Sequence, residues 1–376
     1  MNTPADYTIA DAKLIRSAIQ RVATGPELSK NLSRDEARSV MHALLDGSAD
    51  PVQAGVFLIG LRMKRETDEE FKGVMDALND KTEICHSTAN EIITISDPYN
   101  GFNRTLQGSL FTMPVLAACG MNVYSHGVEL GGPKFGVTHH TIIKALGGNP
   151  LRSTDEVASR VSDPNIGWGY LDQRVMNPAL HSLNELRMRI VKRPVLSTTE
   201  VLVSPIKGAN KTHLVTGYVH KPYRDTYCML ARHMDYDSLL LVRGTEGGII
   251  PSFRADAHIV RYNQTVDYEE LDIDLTPLEL LRSYRAEDVP DDLPLATEES
   301  NPIGMKWDIN ELSALCAEKG RDALKGKTGA LLDAAILGAA LIMWHTGYQP
   351  NMKTATDHAR QVIASGEALS RLDAGL

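Results

Sequence analysis

Between residues 33 and 70 the chain spells out three helix starts in close succession, and this cluster constrains the fold more than any other feature. Ser33 and Glu36 form a capping box, in which the hydroxyl and the carboxylate each satisfy a backbone N–H that the first helical turn leaves open. The helix so opened meets Gly47, a natural left-handed terminator. Asp50-Pro51 is an N-cap followed by proline at the first helical position. Val52, Val56, Phe57, Ile59 and Met63 then give a helix with a wide apolar face. Thr67 and Glu70 make a second capping box. No strand signal separates these helices, so a small all-helical domain is predicted over residues 1–88, joined by helices near 178–195.

From Glu91 the texture changes. Strand candidates at Glu91–Ser96, Met121–Ser125, His213–Val219, Ser238–Arg243 and Ala257–Tyr262 alternate with helical stretches such as Tyr223–His233. This predicts an α/β domain over 89–376 with a central, mostly parallel sheet, closed by helices near Asp308–Glu318, Gly329–His345 and Thr354–Gly366. In such a sheet the loops leaving the carboxyl ends of the strands are where ligands bind.

The net charge of −9 is local: Asp267 to Glu299 holds twelve acids and two bases, so that stretch carries −10 and the remainder +1. Neither a global repulsion of polyanions nor a strongly basic footprint can be argued. With Pro277, Pro290, Pro294 and Pro302, residues 263–303 read as an acidic insertion, a solvated flap over the surface. Four widely spaced cysteines exclude a zinc ribbon and a disulfide framework, and imply a reducing compartment. The opening residues show no basic end followed by an apolar stretch, and the apolar run Ala334–Trp344 is shorter than the roughly 20 residues a membrane helix needs. A cytoplasmic location without membrane contact is expected.

Three loops carry chemistry-bearing residues. In the first, Ser96 to Thr105, a turn could present backbone N–H groups to a phosphate, with Arg104 and Thr105 adding donors. In the second, Ser125-His126-Gly127 precedes Leu130-Gly131-Gly132-Pro133-Lys134-Phe135-Gly136, whose glycines permit close backbone approach to a ligand. His126 could position or protonate a substrate near neutral pH. The neighbouring His139 and His140 point different ways on a helix and do not make a paired metal site. In the third, Arg187 lies on a helix ten residues beyond Asn177 and could grip a carboxylate or phosphate with its fork. A plain turn, a hydrogen-bonded structural histidine and a solvated basic helix face are the alternatives, and spacing leaves them open.

The run from Leu32 to Ala37, with Leu45-Asp46-Gly47, Gln53 to Lys64 and Glu66-Thr67, resembles the N-terminal helical domain of anthranilate phosphoribosyltransferases, which pyrimidine nucleoside phosphorylases share. Gly329-Ala330-Leu331 and Ser365 to Ala368 resemble that family's closing helices. The resemblance implies transfer of phosphoribose from phosphoribosyl pyrophosphate (PRPP) to an aromatic amine, with magnesium, in a cleft between two domains of a homodimer built through the N-terminal helices. It implies phosphate contacts from Asp97, Asn100, Gly101, Asn103, Arg104 and Thr105, and a reacting end lined by His126, Gly127 and Lys134. It implies acceptor binding by Asn177 and Arg187. At the position of the family's Asp-Glu pair, which contacts magnesium, this chain has Ile249-Ile250, leaving Glu246 as a candidate ligand. Tyr99-Asn100-Gly101 and Gly244-Thr245-Glu246-Gly247 resemble a divergent branch. For that branch a non-enzymatic nucleic-acid or polyanion-binding protein is the alternative, on Lys134, Arg174, Arg187, Arg189, Lys192 and Arg193. A nucleoside phosphorylase is the third reading.

Overall fold

The computed structural model describes residues 9–25, 27–264, 267–297 and 304–376; Glu298, Glu299 and Pro302 of the acidic stretch, and the opening residues of the chain, lie outside that set. The helical signals of the N-terminal part become α1 (Ile9–Val22), α2 (Arg34–Leu45), α3 (Pro51–Lys64) and α4 (Asp68–Asp80). Both capping boxes form. Glu70 does more than cap: its carboxylate also accepts from Leu32 N at 2.8 Å and pairs with Lys64 at 2.8 Å, both side chains being buried. One acid thus ties the entry of α2 and the end of α3 to the start of α4.

Nine strands follow: β1 (Cys85–His86), β2 (Glu91–Ser96), β3 (Val123–Gly127), β4 (Trp168–Asp172), β5 (Ile206–Lys207), β6 (Lys211–Gly217), β7 (Ser238–Val242), β8 (Ala257–Asn263) and β9 (Glu269–Ile273), all among the described residues. Seven make one sheet in the order β4-β3-β2-β6-β7-β8-β9. Neighbours from β4 through β7 are parallel, while β8 and β9 are antiparallel. β1 and β5 form a separate parallel pair where the chain passes between the helical unit and the sheet. The prediction of a helical unit followed by an α/β domain with a mostly parallel sheet holds.

Two apolar cores lie on opposite faces of the sheet. One packs Phe111, Leu116, Leu337 and Ile342 beneath the closing helices. The other runs unbroken from Phe57, Leu58 and Leu78 of the helical unit through Leu180 and Leu202 to Leu214 on the sheet. No helix among the described residues is long and apolar enough to cross a membrane.

The acidic stretch is not a solvated flap. β9 extends the sheet as its edge strand, and its acids pair with side chains of β8 and the adjoining helix: Arg261 with Glu269 at 2.6 Å, His258 with Asp272 at 2.8 Å, and Arg224 with Glu270. Farther on, the chain returns beneath the loop after β2, where Leu106 N donates to Glu287 O at 2.7 Å and Val289 N to Arg104 O at 3.0 Å.

Candidate functional site

The carboxyl ends of β2, β3, β6 and β7 open into a cleft of about 1110 Å³ facing α3 and residues 191–198. Each of these four strands sends one loop to its wall: Asn100, Arg104 and Thr105 after β2, Lys134 after β3, Tyr218 and His220 after β6, and Glu246 after β7. Arg62 of α3 and Lys192 and Arg193 close the opposite side, and Arg285 and Asp288 come from the acidic stretch.

Around Glu246 the geometry is that of an anion cradle. Its carboxylate accepts from Arg104 N and Thr105 N at 2.9 Å each and from the Thr105 hydroxyl at 3.1 Å, with Asn103 N more distant at 3.5 Å. Lys134 Nζ pairs with it at 2.5 Å. Burial works against charge on Glu246, but Lys134 and the loop N–H groups outweigh it and hold the carboxyl below its ordinary value. Burial, together with neighbouring Arg104 and Arg62, lowers the Arg193 guanidinium below its ordinary value, so these cations crowd one another.

Four of the expected phosphate contacts lie in this region: Asn100, Arg104 and Thr105 line the cleft, and Asn103 supplies a main-chain N–H. Asp97 does not reach it. It is buried beneath the loop, accepting from Ser109, from Gln107 Nε2 at 2.8 Å and from Ile249 N at 3.1 Å, with His139 at 3.3 Å. Burial raises its carboxyl, but His139 and these donors outweigh that and leave it below its ordinary value. Gly101 is likewise structural. It holds φ +70°, and a Cβ there would come within 2.4 Å of Gly136 O. The glycines after β3 therefore admit the neighbouring loop rather than a ligand: Phe102 and Val137 exchange backbone hydrogen bonds of 2.9 and 2.8 Å.

The expected acid–base role of His126 does not survive. His126 and Gly127 face a separate small cavity shared with Tyr99 and Val128. His126 Nδ1 meets the Tyr99 hydroxyl, and burial, with His139 nearby, holds the imidazolium at about 3. The ring is neutral near pH 7 and does not line the cleft. His139 and His140 diverge as expected, His139 to Ser125 at 2.8 Å and His140 to Asp172 at 2.7 Å.

Neither acceptor residue is free. Asn177 is fully buried; it caps the helix at Leu180 and donates to Leu78 O at 3.0 Å and Thr82 Oγ1 at 2.9 Å, fastening the helical unit to the next layer. Arg187 gives both arms of its fork to Glu200 at 2.5 and 2.6 Å, with both side chains buried. Its anionic partner is internal. Of the six cations behind the polyanion alternative, four lie in intramolecular ion pairs: Lys134 with Glu246, Arg174 with Glu129, Arg187 with Glu200 and Arg189 with Glu185. Sequence reasoning missed Arg62, His220 and Arg285. His220 was within reach, because the strand before it was expected and a loop at its carboxyl end lines such clefts.

A magnesium site does not fit these residues. Ile249 is buried and offers only its N–H, to Asp97, while Ile250 packs against the core. Glu246 is engaged by Lys134 and the loop, and no group of three or more His, Cys, Asp or Glu among the described residues could hold a metal ion. The arrangement is suited to gripping anions and stabilising departing negative charge.

Residues 16–82 match the family described as "Glycosyl transferase family, helical bundle domain". An uncharacterized protein of Aquifex aeolicus (strain VF5) is 28% identical over 223 residues; the match takes in 59% of this chain and 65% of that protein, just under two thirds. The anthranilate phosphoribosyltransferase of Rhodopseudomonas palustris (strain BisA53) is 25% identical over 357 residues, 95% of this chain and 96% of that enzyme. Among solved structures, anthranilate phosphoribosyltransferase from Saccharomyces cerevisiae in complex with PRPP and Mg superposes with a TM-score of 0.73 at 16% identity, covering 96% of each chain, which shows the shared fold. Over nearly its whole length the chain is thus similar to anthranilate phosphoribosyltransferases, with the glycosyl transferase helical bundle domain at its N-terminal end and their fold throughout.

Proposed function

We propose that this protein binds a phosphorylated ribose compound of the PRPP class in the cleft between the helical unit and the sheet. The observation that carries this reading is the gathering of Arg62, Arg104, Lys134 and Arg193 around one opening at the strands' carboxyl ends. Glu246 balances Lys134 and Glu66 lies 3.6 Å from Arg62, but Arg104 and Arg193 crowd each other without a carboxylate beside either among the described residues, and a ligand there supplies the countercharge. The solved yeast relative holds PRPP and Mg, which supports the same ligand class here. In phosphoribosyl transfer the bond from the ribose carbon to the pyrophosphate oxygen breaks as a nucleophile arrives, and guanidinium and ammonium groups stabilise the departing charge. Arg104, Arg193 and Lys134 are the groups this chain offers for that task. The acceptor side is where it departs, since Arg187 and Asn177 are committed to internal contacts.

Titration calorimetry with PRPP, with and without magnesium, tests the proposal. Heat of binding and a raised melting temperature are expected, and Arg193→Met should weaken binding by about tenfold or more, the worth of a hydrogen bond to a charged group. Absence of heat and of any thermal shift overturns it. Pyrophosphate release across a panel of aromatic amines then decides whether binding leads to transfer.

A further inference from the structure

The cradle suited to a phosphate already holds an anion, and that anion comes from the chain itself. The N–H groups of residues 103–105, the Thr105 hydroxyl and Lys134 all converge on the Glu246 carboxylate, 141 residues away from Thr105 in sequence. Glu246 reaches them from a short turn after β7 in which its own backbone adopts φ 55° and ψ 11°, the left-handed region that favours glycine. Glycines 244 and 248 leave no room for a side chain, and Thr245 N donates to Ile250 O at 2.8 Å, so the turn is held in place and the Glu246 side chain is what swings out when the cradle is vacated.

We propose that Glu246 is the specificity-determining residue of the cleft: a tethered carboxylate that competes for the oxyanion site, so that a ligand enters only with a phosphate or pyrophosphate group able to displace it. A carboxylate brings one charge and two oxygens. A phosphate dianion brings more of both and makes more charge-assisted hydrogen bonds in the same cradle. Free carboxylates lose to the tethered one, because tethering gives it an effective concentration on the order of millimolar or more. The apparent affinity for any anion is lowered by the fraction of molecules in which the cradle is vacated. For the natural ligand this rests on the phosphoribose reading above; for the cradle itself it does not.

The test compares the full-length protein with Glu246→Gln and Glu246→Ala, using inorganic pyrophosphate in calorimetry and sodium acetate in thermal-shift measurements. Both variants should bind pyrophosphate about tenfold tighter or more than the parent chain, since the competent fraction rises. Acetate should raise the melting temperature of Glu246→Ala by refilling the cradle and leave the parent unchanged. Adding Lys134→Met to Glu246→Ala should remove both gains. If neither variant binds pyrophosphate more tightly and acetate gives Glu246→Ala no thermal gain, Glu246 is a structural clip and the proposal is overturned. Should Glu246→Ala fail to fold, the near-isosteric Glu246→Gln carries the pyrophosphate comparison: tighter binding supports the proposal and unchanged binding overturns it. A parent chain that ignores PRPP while these variants respond as expected removes the phosphoribose reading and leaves this one standing. PRPP binding without any gain in the variants does the reverse.

Discussion

Arg187 and Glu246 exchange the roles that sequence suggests for them. Arg187, a forked donor on a helix, reads as a ligand contact; its partner Glu200 lies 13 residues on and is brought to it by a turn that spacing does not reveal. The pair is buried, so removing one member leaves a charge without a counterpart. Arg187→Met should lower stability by about 3–5 kcal/mol, whereas Arg187→Met with Glu200→Leu should recover most of the loss. Denaturant unfolding of the two variants checks this, and a single variant as stable as the parent would show that the pair is solvated. Glu246 carries the opposite lesson. A lone acid in a glycine turn reads as a weak metal candidate, yet the structure makes it the centre of the cleft's hydrogen bonding.

At the level of elements, what was legible is what local chemistry dictates. Capping boxes are closed by neighbours three residues apart, so α2 and α4 begin where Ser33 and Thr67 say they do. β4 and β9 escaped because their reasons are distant. Gly169 interrupts Trp168–Asp172 since a Cβ there would meet Val157 at 2.9 Å, and Glu269–Ile273 looks too acidic for a strand until Arg261 and His258 of β8 are placed opposite. The glycine-rich loop misled for the same reason, its partner being another loop. α3 was expected to be apolar over a wide face, and Val52 and Met63 remain 73% and 75% exposed beside a groove shared with α1 and Leu186. An exposed apolar patch on a helix of this length marks an association surface, and the homodimer implied by the family resemblance is the proposed occupant. Sedimentation should give the mass of two chains for the parent and one for Val56→Glu with Met63→Glu; a monomeric parent would end the idea.

For the whole molecule the governing quantity is where protons can go. His126 and His345 are buried, and burial first of all holds both imidazoliums near about 3 against an ordinary 6.5. The unfolded chain takes up those protons near 6.5 while the folded one refuses them until far lower, so stability falls as pH drops through that window. Each histidine contributes a slope of about 1.4 kcal/mol per pH unit where the unfolded form is protonated and the folded form is not. His181 and His213 are shifted the same way, chiefly by burial. Glu66 and Asp333 oppose them, because burial raises their carboxyls and the folded state gains protons early as acid is added. Asp97 and Glu246 lie below their ordinary values and stay charged through most of the window, so the anion cradle and its support persist while the core is being undermined. Denaturant midpoints at pH 7.5, 6 and 5 should therefore decline, and His345→Gln should decline less steeply, by about 1.4 kcal/mol per pH unit. Equal slopes for the two proteins would mean that His345 takes up its proton without leaving the folded core.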